Sequence, residues 1–434
     1  MLEYFTDPLY RAPVIGSMLM CLSSALMGTL MMVKRRSLVG EALSHAAYPG
    51  VVLSVVVGAF FVAPSHPLAT LVVLLGAFLF SYLGLEAINT LRRRLRIHLD
   101  AALCLTLSIF LGVGVVFASR IQFTHPLWYQ HSQVFIYGQA ATMNDSHIII
   151  FGALSLLVAL FILFRFREIE LALFDSSYAQ SRGLSMQRVI RGIFFLLILS
   201  IVVGIRSVGV ILMSGMLLAP AAAARSFTDR LSNLLILSGV FGLVSGFGGN
   251  YLSLKLSGLG VTYPTGPMIL LVAVSLSLLS LLFAPQKGAI PRMIRSARFR
   301  RRCQLENILK TFWKGGTDVP LSQKGILKWN PMGRVPMKSA LFTLKREGWI
   351  VKSGEGKLLL TPDGIRRAEH LVRLHRLWEL YLVSCLKVDE ERVHHNAEEM
   401  EHIITPDLEE RLTFLLNHPK EDPHKKPIPQ GERQ

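Results

Sequence analysis

The stretch KGAIPRMIRSARFRRRC, from Lys287 to Cys303, separates two parts of the chain that differ sharply in composition. Before it, apolar runs recur at the length that a helix needs to cross a bilayer, roughly 20 residues. After it no such run occurs, and Lys, Arg, Glu and His become frequent. With 51% hydrophobic and 17% charged residues, the 434-residue chain is too apolar for an ordinary soluble protein. The sequence therefore predicts an all-α polytopic membrane domain followed by a smaller water-soluble part.

Residues 1–286 form the predicted membrane domain, with eight or nine transmembrane helices. The nine candidate spans are about 12–33, 44–62, 67–90, 99–119, 146–164, 190–205, 207–224, 231–250 and 265–285. The pair at 190–224 contains Arg206 and Pro220. One span plus a re-entrant piece is therefore the alternative for this pair, which gives eight spans.

Basic residues cluster in every second loop of this domain. The clusters are Lys34, Arg35 and Arg36; Arg92, Arg93, Arg94 and Arg96; Arg165, Arg167 and Arg182; and Arg225 and Arg230. The alternate loops, 63–66, 120–145 and 251–264, are poor in Lys and Arg. Because basic loops stay in the cytoplasm, nine spans put the N-terminus outside and the C-terminus inside the cell. These clusters account for much of the net charge of +17, so the charge alone does not indicate nucleic-acid binding.

The stretch RRSLVGEALSHAAYPG, Arg35 to Gly50, contains a candidate metal path. If it is helical, Glu41 and His45 lie four residues apart on one face. A carboxylate and an imidazole at a membrane boundary could pass a divalent cation inward. The alternative is that Glu41 lies in a loop and His45 is an ordinary residue at the start of a helix.

Two further stretches of this domain have a distinctive pattern. FDSSYAQSRGLSMQR, Phe174 to Arg188, is polar and lies between two spans, with Gly183 as a stop for a short helix. It is either a docking segment or a simple connector. VGVILMSGMLLAPAAAARSF, Val208 to Phe227, is rich in small residues, which permit close packing of helices in a membrane.

Together these stretches, with YPTGPMI at the start of the last span, resemble the permease subunits of the ABC-3 family of metal-ion importers over about residues 10–285. The family usually has Asp at the position of Glu41, so the carboxylate is kept. The resemblance implies a bacterial inner-membrane protein that pairs with a second permease copy or homologue and takes metal from an extracytoplasmic binding protein. It also implies that residues 174–187 couple to an ATPase subunit. The positions that match are Phe174, Asp175, Ala179, Gly183 and Leu184.

A phosphate-binding loop of the form GxxxxGK[ST] does not occur in the sequence. The chain is therefore expected not to be an enzyme, with ATP hydrolysis supplied by a separate ATPase chain.

Residues 303–366 have the pattern of a winged helix-turn-helix. Helical stretches are followed by WIVKSGEGKLLLTPDG, which predicts strand, turn and strand. The candidate recognition helix runs from about Pro336 to Glu347, and its basic and polar residues suit contacts with phosphates and bases. The candidate DNA-binding residues are Lys338, Ser339, Thr343, Lys345 and Arg346. The alternative is a winged helix that contacts only protein.

Residues 367–434 contain potential metal ligands at helical spacing. His375 and Glu379 are four residues apart on one predicted helix, and a second stripe of potential ligands follows on a second predicted helix. That stripe consists of His394, Glu398, Glu401 and His402. Six N and O ligands without a thiolate suit Mn²⁺ or Fe²⁺, with Zn²⁺ as the third choice. The alternative is a solvated polar face.

Residues 303–430 resemble the metal-dependent repressors typified by the diphtheria toxin repressor and the manganese transport regulators. The resemblance is carried above all by VHHNAEEMEHIITPDLEERLTFLLNHPKEDPHKKPIP, from Val393 to Pro429. It implies one metal site formed by His375, Glu379 and His394 with Glu398, and a helical domain for metal sensing and dimerisation. It implies a second site in which Glu401 and His402 join Glu398. The ligand position on the family's first helix is Asn307 here, with Glu306 beside it.

A permease and a repressor in one chain resemble the chlamydial permease–repressor fusions. The expected function is therefore an ATP-driven metal importer whose cytoplasmic tail binds operator DNA when it holds the metal. Residues 287–302 are expected to be an exposed basic linker that is either cleaved, releasing a soluble tail fragment, or bound to anionic lipid. One alternative is a tail that only regulates transport, and another is a secondary transporter with an accessory domain.

Overall fold

The computed structural model describes residues 3–61, 67–124, 126–174, 178, 181, 185–258, 263–330 and 333–430. The chain forms two compact units, Met1–Arg292 and Met293–Gln434. The division between them lies inside the basic segment from Lys287 to Cys303.

In its described residues the first unit is helical throughout. Its α-helices are α1 (Glu3–Thr6), α2 (Pro8–Val33), α3 (Leu38–Phe61), α4 (Pro67–Arg93), α5 (Leu99–Thr124), α6 (Pro126–Tyr137), α7 (Asp145–Phe164), α8 (Phe166–Phe174), α9 (Met186–Val208), α10 (Val210–Arg225), α11 (Leu231–Ser257) and α12 (Thr265–Phe283). A single 3₁₀ turn, Ala140–Thr142, precedes α7.

Eight of these helices are long and apolar enough to cross a membrane, namely α2, α3, α4, α5, α7, α9, α11 and α12. The predicted fold class of eight to nine spans is thereby confirmed. The ambiguous segment divides at Gly209, whose φ of 92° lies in the left-handed region that favours glycine. The piece after this break, α10, has 16 residues and is shorter than the eight.

Small residues bring the membrane helices into backbone contact. A Cβ atom on Gly28 of α2 would stand 1.8 Å from the carbonyl oxygen of Leu217 on α10, so only glycine fits there. Gly249 of α11 meets the backbone of Ile269 on α12 in the same way, at 2.3 Å. Polar side chains add links between helices, such as the 2.7 Å hydrogen bond from Thr29 to Ser238. Lipid tails are as apolar as the side chains, so no hydrophobic driving force brings the helices together. Close packing therefore holds them together.

The second unit combines helices with one hairpin. Its elements are α13 (Ala289–Gly315, which begins four residues before the division), α14 (Gln323–Trp329), α15 (Arg334–Arg346), β1 (Ile350–Ser353), β2 (Lys357–Leu360), α16 (Pro362–Ser384), α17 (Glu390–Met400) and α18 (Pro406–Leu415). The strands are antiparallel, with Ile350 opposite Leu360. Leu321 forms an additional bridge to Leu358. The predicted winged helix-turn-helix is observed, with α15 as its second helix and β1–β2 as its wing.

This unit has its own apolar core. Ile308, Leu309 and Phe312 of α13 pack with Ile326 of α14 and Leu344 of α15, and all five are almost fully buried. The basic segment that was expected to be a linker is helical from Ala289 onward. Its side chains from Arg292 to Arg302 are exposed.

Candidate functional site

Glu41 and His45 both lie near the start of α3, so the alternative that puts Glu41 in a loop does not hold. Both side chains are half-buried. The Nδ1 atom of His45 is buried and has no hydrogen-bond partner among the described residues. Buried polar atoms are nearly always hydrogen-bonded, so this nitrogen has a free bonding position beside a carboxylate.

Of the predicted coupling residues, Phe174 is the last residue of α8, and 62% of it is exposed. Asp175, Ala179, Gly183 and Leu184 lie outside the described residues. The structure therefore bears on this segment only through Phe174, a large apolar side chain that its own unit leaves uncovered.

The predicted DNA-binding residues divide into an exposed set and one buried residue. Lys338, Ser339, Lys345 and Arg346 are exposed on α15. Thr343 is only 9% exposed. Its hydroxyl donates a hydrogen bond to the Ser339 carbonyl at 3.0 Å and accepts one from Arg301 of α13 at 2.8 Å. Thr343 thus helps to hold α15 against α13, and its hydroxyl does not point outward as predicted.

Two apolar residues on the outer face of α15 were missed by reasoning from polar side chains. Val335 is 79% exposed and Phe342 is 69% exposed. They lie at helical spacing with Lys338 and Lys345, on the face that carries the exposed basic residues. The sequence did contain a signal for them, because Val335 and Phe342 stand at helical spacing with the basic residues Lys338 and Lys345. Apolar side chains on a recognition helix can contact the methyl group of thymine.

Three of the predicted metal ligands come together between α16 and α17. His375 and Glu379 project from α16, and His394 projects from α17. Glu379 Oε1 lies 3.1 Å from His375 Nε2 and 2.9 Å from His394 Nδ1. The two histidine nitrogens are 3.0 Å apart. Ligands at right angles around an octahedral ion at roughly 2.1 Å lie about 3 Å apart, so the triangle has the size of a metal site.

Glu398 lies at the solvent side of this cluster. Its Oε1 is 3.5 Å from His394 Nε2, and 48% of its side chain is exposed. His394 is likewise half exposed, whereas His375 and Glu379 are buried. A buried pair of ligands and an exposed pair make a site that an ion can enter from solvent.

Glu401 and His402 are each paired with a residue of α13. Glu401 Oε2 accepts a hydrogen bond from the Lys310 ammonium at 2.6 Å and lies 2.5 Å from His375 Nδ1. His402 Nδ1 lies 2.8 Å from Glu306 Oε2. Glu401 and His402 are therefore not part of the His375–Glu379–His394 cluster, and a second site that they form with Glu398 stays a prediction. Asn307 is half-buried, and its backbone carbonyl accepts a hydrogen bond from Thr311.

The sequence pattern did not identify Lys310 as a residue of this site, and it indicated Glu306 only as a neighbour of Asn307. The signal for both is their position inside the apolar run LENILKTFW, where a charge at a core-facing position is unusual.

The buried carboxylates are held in their ionised form. Burial alone would raise the pKa of Glu379, but hydrogen bonds from His375 and His394 outweigh it and lower the pKa to about 2. Burial likewise opposes the hydrogen bonds that Glu306 accepts from His402, Arg302 and Arg367, and these lower its pKa to about 2. Glu379 is therefore an anion at neutral pH, which is the form that binds a cation.

Two parts of the chain match known protein families. Residues 6–284 match the ABC 3 transport family. Residues 361–430 match the iron dependent repressor family, in its metal binding and dimerisation domain. The second match covers the three residues of the candidate metal cluster.

Some relatives match almost the whole chain, and others match about two thirds of it. A probable metal transport system membrane protein of Chlamydia trachomatis serovar D is 35% identical over 446 residues, covering 99% of this chain and 98% of that protein. The zinc transport system membrane protein TroC of Treponema pallidum is 33% identical over 298 residues, covering 69% of this chain and 96% of that protein. The structure of PsaBC from Streptococcus pneumoniae in complex with Fab aligns with a TM-score of 0.56 at 24% identity, over 68% of this chain and 100% of that chain, which shows a common fold.

Removing one histidine of the cluster tests whether it holds metal. His375→Ala or His394→Ala is expected to weaken binding of Mn²⁺ at the tail by at least about 100-fold, because loss of a direct ligand exceeds the usual cost of losing an outer partner. Equilibrium dialysis of the purified chain against Mn²⁺ measures this. His370→Ala is the matched control, since His370 lies on the same helix and pairs with Glu409 instead. If all three variants bind Mn²⁺ as tightly as the unchanged chain, the cluster is not a metal site.

Proposed function

The chain belongs to the ABC 3 transport family, and we propose that it is the permease subunit of an ATP-driven importer of a divalent metal ion whose C-terminal part is a metal-dependent repressor. The observation that carries the proposal is the pairing, in one chain, of eight membrane-length helices with a His–Glu–His cluster on a winged-helix unit. The carried and sensed metal is Fe²⁺ or Mn²⁺, with Zn²⁺ as the alternative, because imidazole and carboxylate ligands suit all three.

The metal path runs past Glu41 and His45. The free Nδ1 atom of His45 and the Glu41 carboxylate one turn earlier offer successive ligands on α3. Polar groups inside a membrane domain are costly, and they commonly mark the pathway of an ion.

Partner subunits complete the importer. An ABC ATPase is expected to dock on the segment that begins at the exposed Phe174 and continues through Asp175, Ala179, Gly183 and Leu184. An extracytoplasmic metal-binding protein delivers the ion, and a second permease copy or a homologue completes the membrane channel.

The tail binds operator DNA through α15 when its metal site is filled. Lys338, Lys345 and Arg346 supply contacts with phosphates, while Ser339 and Phe342 contact base edges. Thr343 has a supporting role, because it joins α15 to Arg301.

The tail is inferred to face the cytoplasm, because the loops rich in Lys and Arg are expected to lie on that side. This placement needs α10 to cross the bilayer in spite of its 16 residues, which span about 24 Å as a helix. Release of the tail by proteolysis would free it to search DNA. Because residues 289–302 are helical, a protease must first unwind this basic helical stretch, or else the stretch stays bound to anionic lipid.

Loss of the path ligands should abolish transport. Glu41→Ala combined with His45→Ala is expected to remove metal uptake while leaving assembly with the ATPase intact, since neither change alters the coupling segment. Uptake of radioactive ⁵⁴Mn²⁺ by cells, with co-purification of the ATPase, measures both. Glu41→Asp keeps the carboxylate and should retain uptake. Normal uptake in the double variant would remove these residues from the path.

DNA binding should require metal and the outer face of α15. Residues 293–434 are expected to bind DNA from upstream of their own gene only with Mn²⁺ or Fe²⁺ present. Lys338→Ala should weaken binding to all sequences, whereas Phe342→Ala should cost about 1–3 kcal/mol mainly at sites with thymine. Fluorescence anisotropy at fixed salt measures both, with Lys420→Ala as a control for loss of one charge elsewhere. Metal binding without any DNA binding would leave transport regulation as the tail's role.

Release of the tail is tested in cells. Blotting membrane and soluble fractions with an antibody to residues 367–434 should reveal a soluble fragment close to 293–434 in size. Finding only full-length, membrane-bound protein at every growth stage would contradict release, and would leave the metal and DNA sites unaffected.

A further inference from the structure

Lys310 is a cation buried among the metal-binding helices. Its side chain is 7% exposed, and that of its partner Glu401 is 1% exposed. The ammonium nitrogen lies 2.6 Å from Glu401 Oε2 and 3.0 Å from His375 Nδ1. A buried charge must be paired to be tolerated, and this ammonium is paired with the carboxylate on which a second metal ion would depend.

The surroundings of this ammonium have the character of a cation site. Glu401 Oε1 and His402 Nε2 are buried, and neither has a hydrogen-bond partner among the described residues. The two atoms are 3.8 Å apart. A metal ion at roughly 2.1 Å from each ligand bridges atoms up to about 4.2 Å apart. Two unused ligand atoms therefore lie beside the carboxylate oxygen that Lys310 holds.

We propose that the Lys310 ammonium takes the place of a second divalent ion, so that the tail binds one metal ion per chain. The cation is supplied by the chain itself and is permanently tethered to α13. The proposal deepens the proposed metal-sensing function and rests on it, because it assigns the His375–Glu379–His394 cluster as the one exchangeable site.

Glu401 then acts as a positioning residue for the first site. His375 donates Nδ1–H to Glu401 at 2.5 Å. When a metal ion takes the place of the proton that Nε2 shares with Glu379, the lone pair of Nε2 is therefore directed toward Glu379 and His394. A ligating histidine commonly donates its other nitrogen to a carboxylate in this way, which sets the orientation of the ring. Lys310 balances the charge of Glu401, so the carboxylate can orient His375 without attracting an ion of its own.

The ammonium also joins two parts of the tail in the absence of metal. Lys310 belongs to α13, which packs with the winged helix, whereas Glu401 directly follows α17 and His375 lies on α16. If the tail bound two exchangeable ions, both would have to bind before α13, α16 and α17 were connected. Here the Lys310 ammonium makes one of these connections permanently, and a single ion at the His375–Glu379–His394 cluster makes the other.

Counting bound ions in the full chain tests the proposal. The chain is purified in detergent, stripped with a chelator, dialysed to saturation against Mn²⁺ and analysed for Mn by mass spectrometry. Ions at the tail are defined as those lost when His375, Glu379, Glu401 and His402 are all replaced by Ala. The wild-type chain should have one such ion. Lys310→Ala and Lys310→Gln should each have two, and Lys310→Arg, which keeps the cation, should have one.

A double variant places the additional ion and guards against misfolding. Adding His402→Ala to Lys310→Gln removes a ligand of the additional ion and leaves Glu401 to orient His375, so it should return the count to one. Two tail ions in the wild-type chain, or an unchanged count in both Lys310→Ala and Lys310→Gln, would overturn the proposal. If His375→Ala removes no ion from the wild-type chain, the proposed metal site fails instead, which is a separate result.

Discussion

The tail depends on the pairing of buried charges. Glu306, Lys310, Glu379 and Glu401 are all almost fully buried, and each has an oppositely charged or imidazole partner within hydrogen-bond distance. An unpaired charge in these positions would cost several kcal/mol, so the helices can pack only in the arrangement that satisfies all of them. The side chains of the candidate metal cluster are oriented by the same arrangement. The packed interior and the candidate metal cluster are thus built from one set of contacts.

The membrane unit meets a different constraint. In lipid, every backbone hydrogen bond must be made inside the protein, which selects helices, and apolar side chains gain little by leaving lipid for each other. Close approach of small residues supplies the missing attraction. Gly28 against Leu217 and Gly249 against Ile269 show how glycines let one helix reach the backbone of the next. The break at Gly209 belongs to the same use of glycine, because it lets the chain turn between two helices without a side-chain clash.

The two units have related ligand chemistry. The membrane unit carries a carboxylate and an imidazole one helical turn apart, at Glu41 and His45. The tail uses the same pair of groups at the same spacing, at Glu379 and His375, and adds His394 from a second helix. Under the proposed function, a third ligand and the burial of two of the three suit a site that retains its ion. Two ligands at the start of a membrane helix suit an ion that moves on.

The sequence alone determined the features that depend on residues close together in the chain. Apolar runs of membrane length, the strand–turn–strand of the wing, and the four-residue spacing of His375 and Glu379 are local patterns with a fixed geometry. Only the tertiary structure decided which helix faces meet. Lys310 is 91 residues from Glu401, and Glu306 is 96 residues from His402. Periodicity indicates which face of a helix turns inward, but it does not indicate which distant face lies opposite. For the same reason, Thr343 lies against Arg301 of another helix, and Glu401 of the second predicted set of ligands is paired with Lys310.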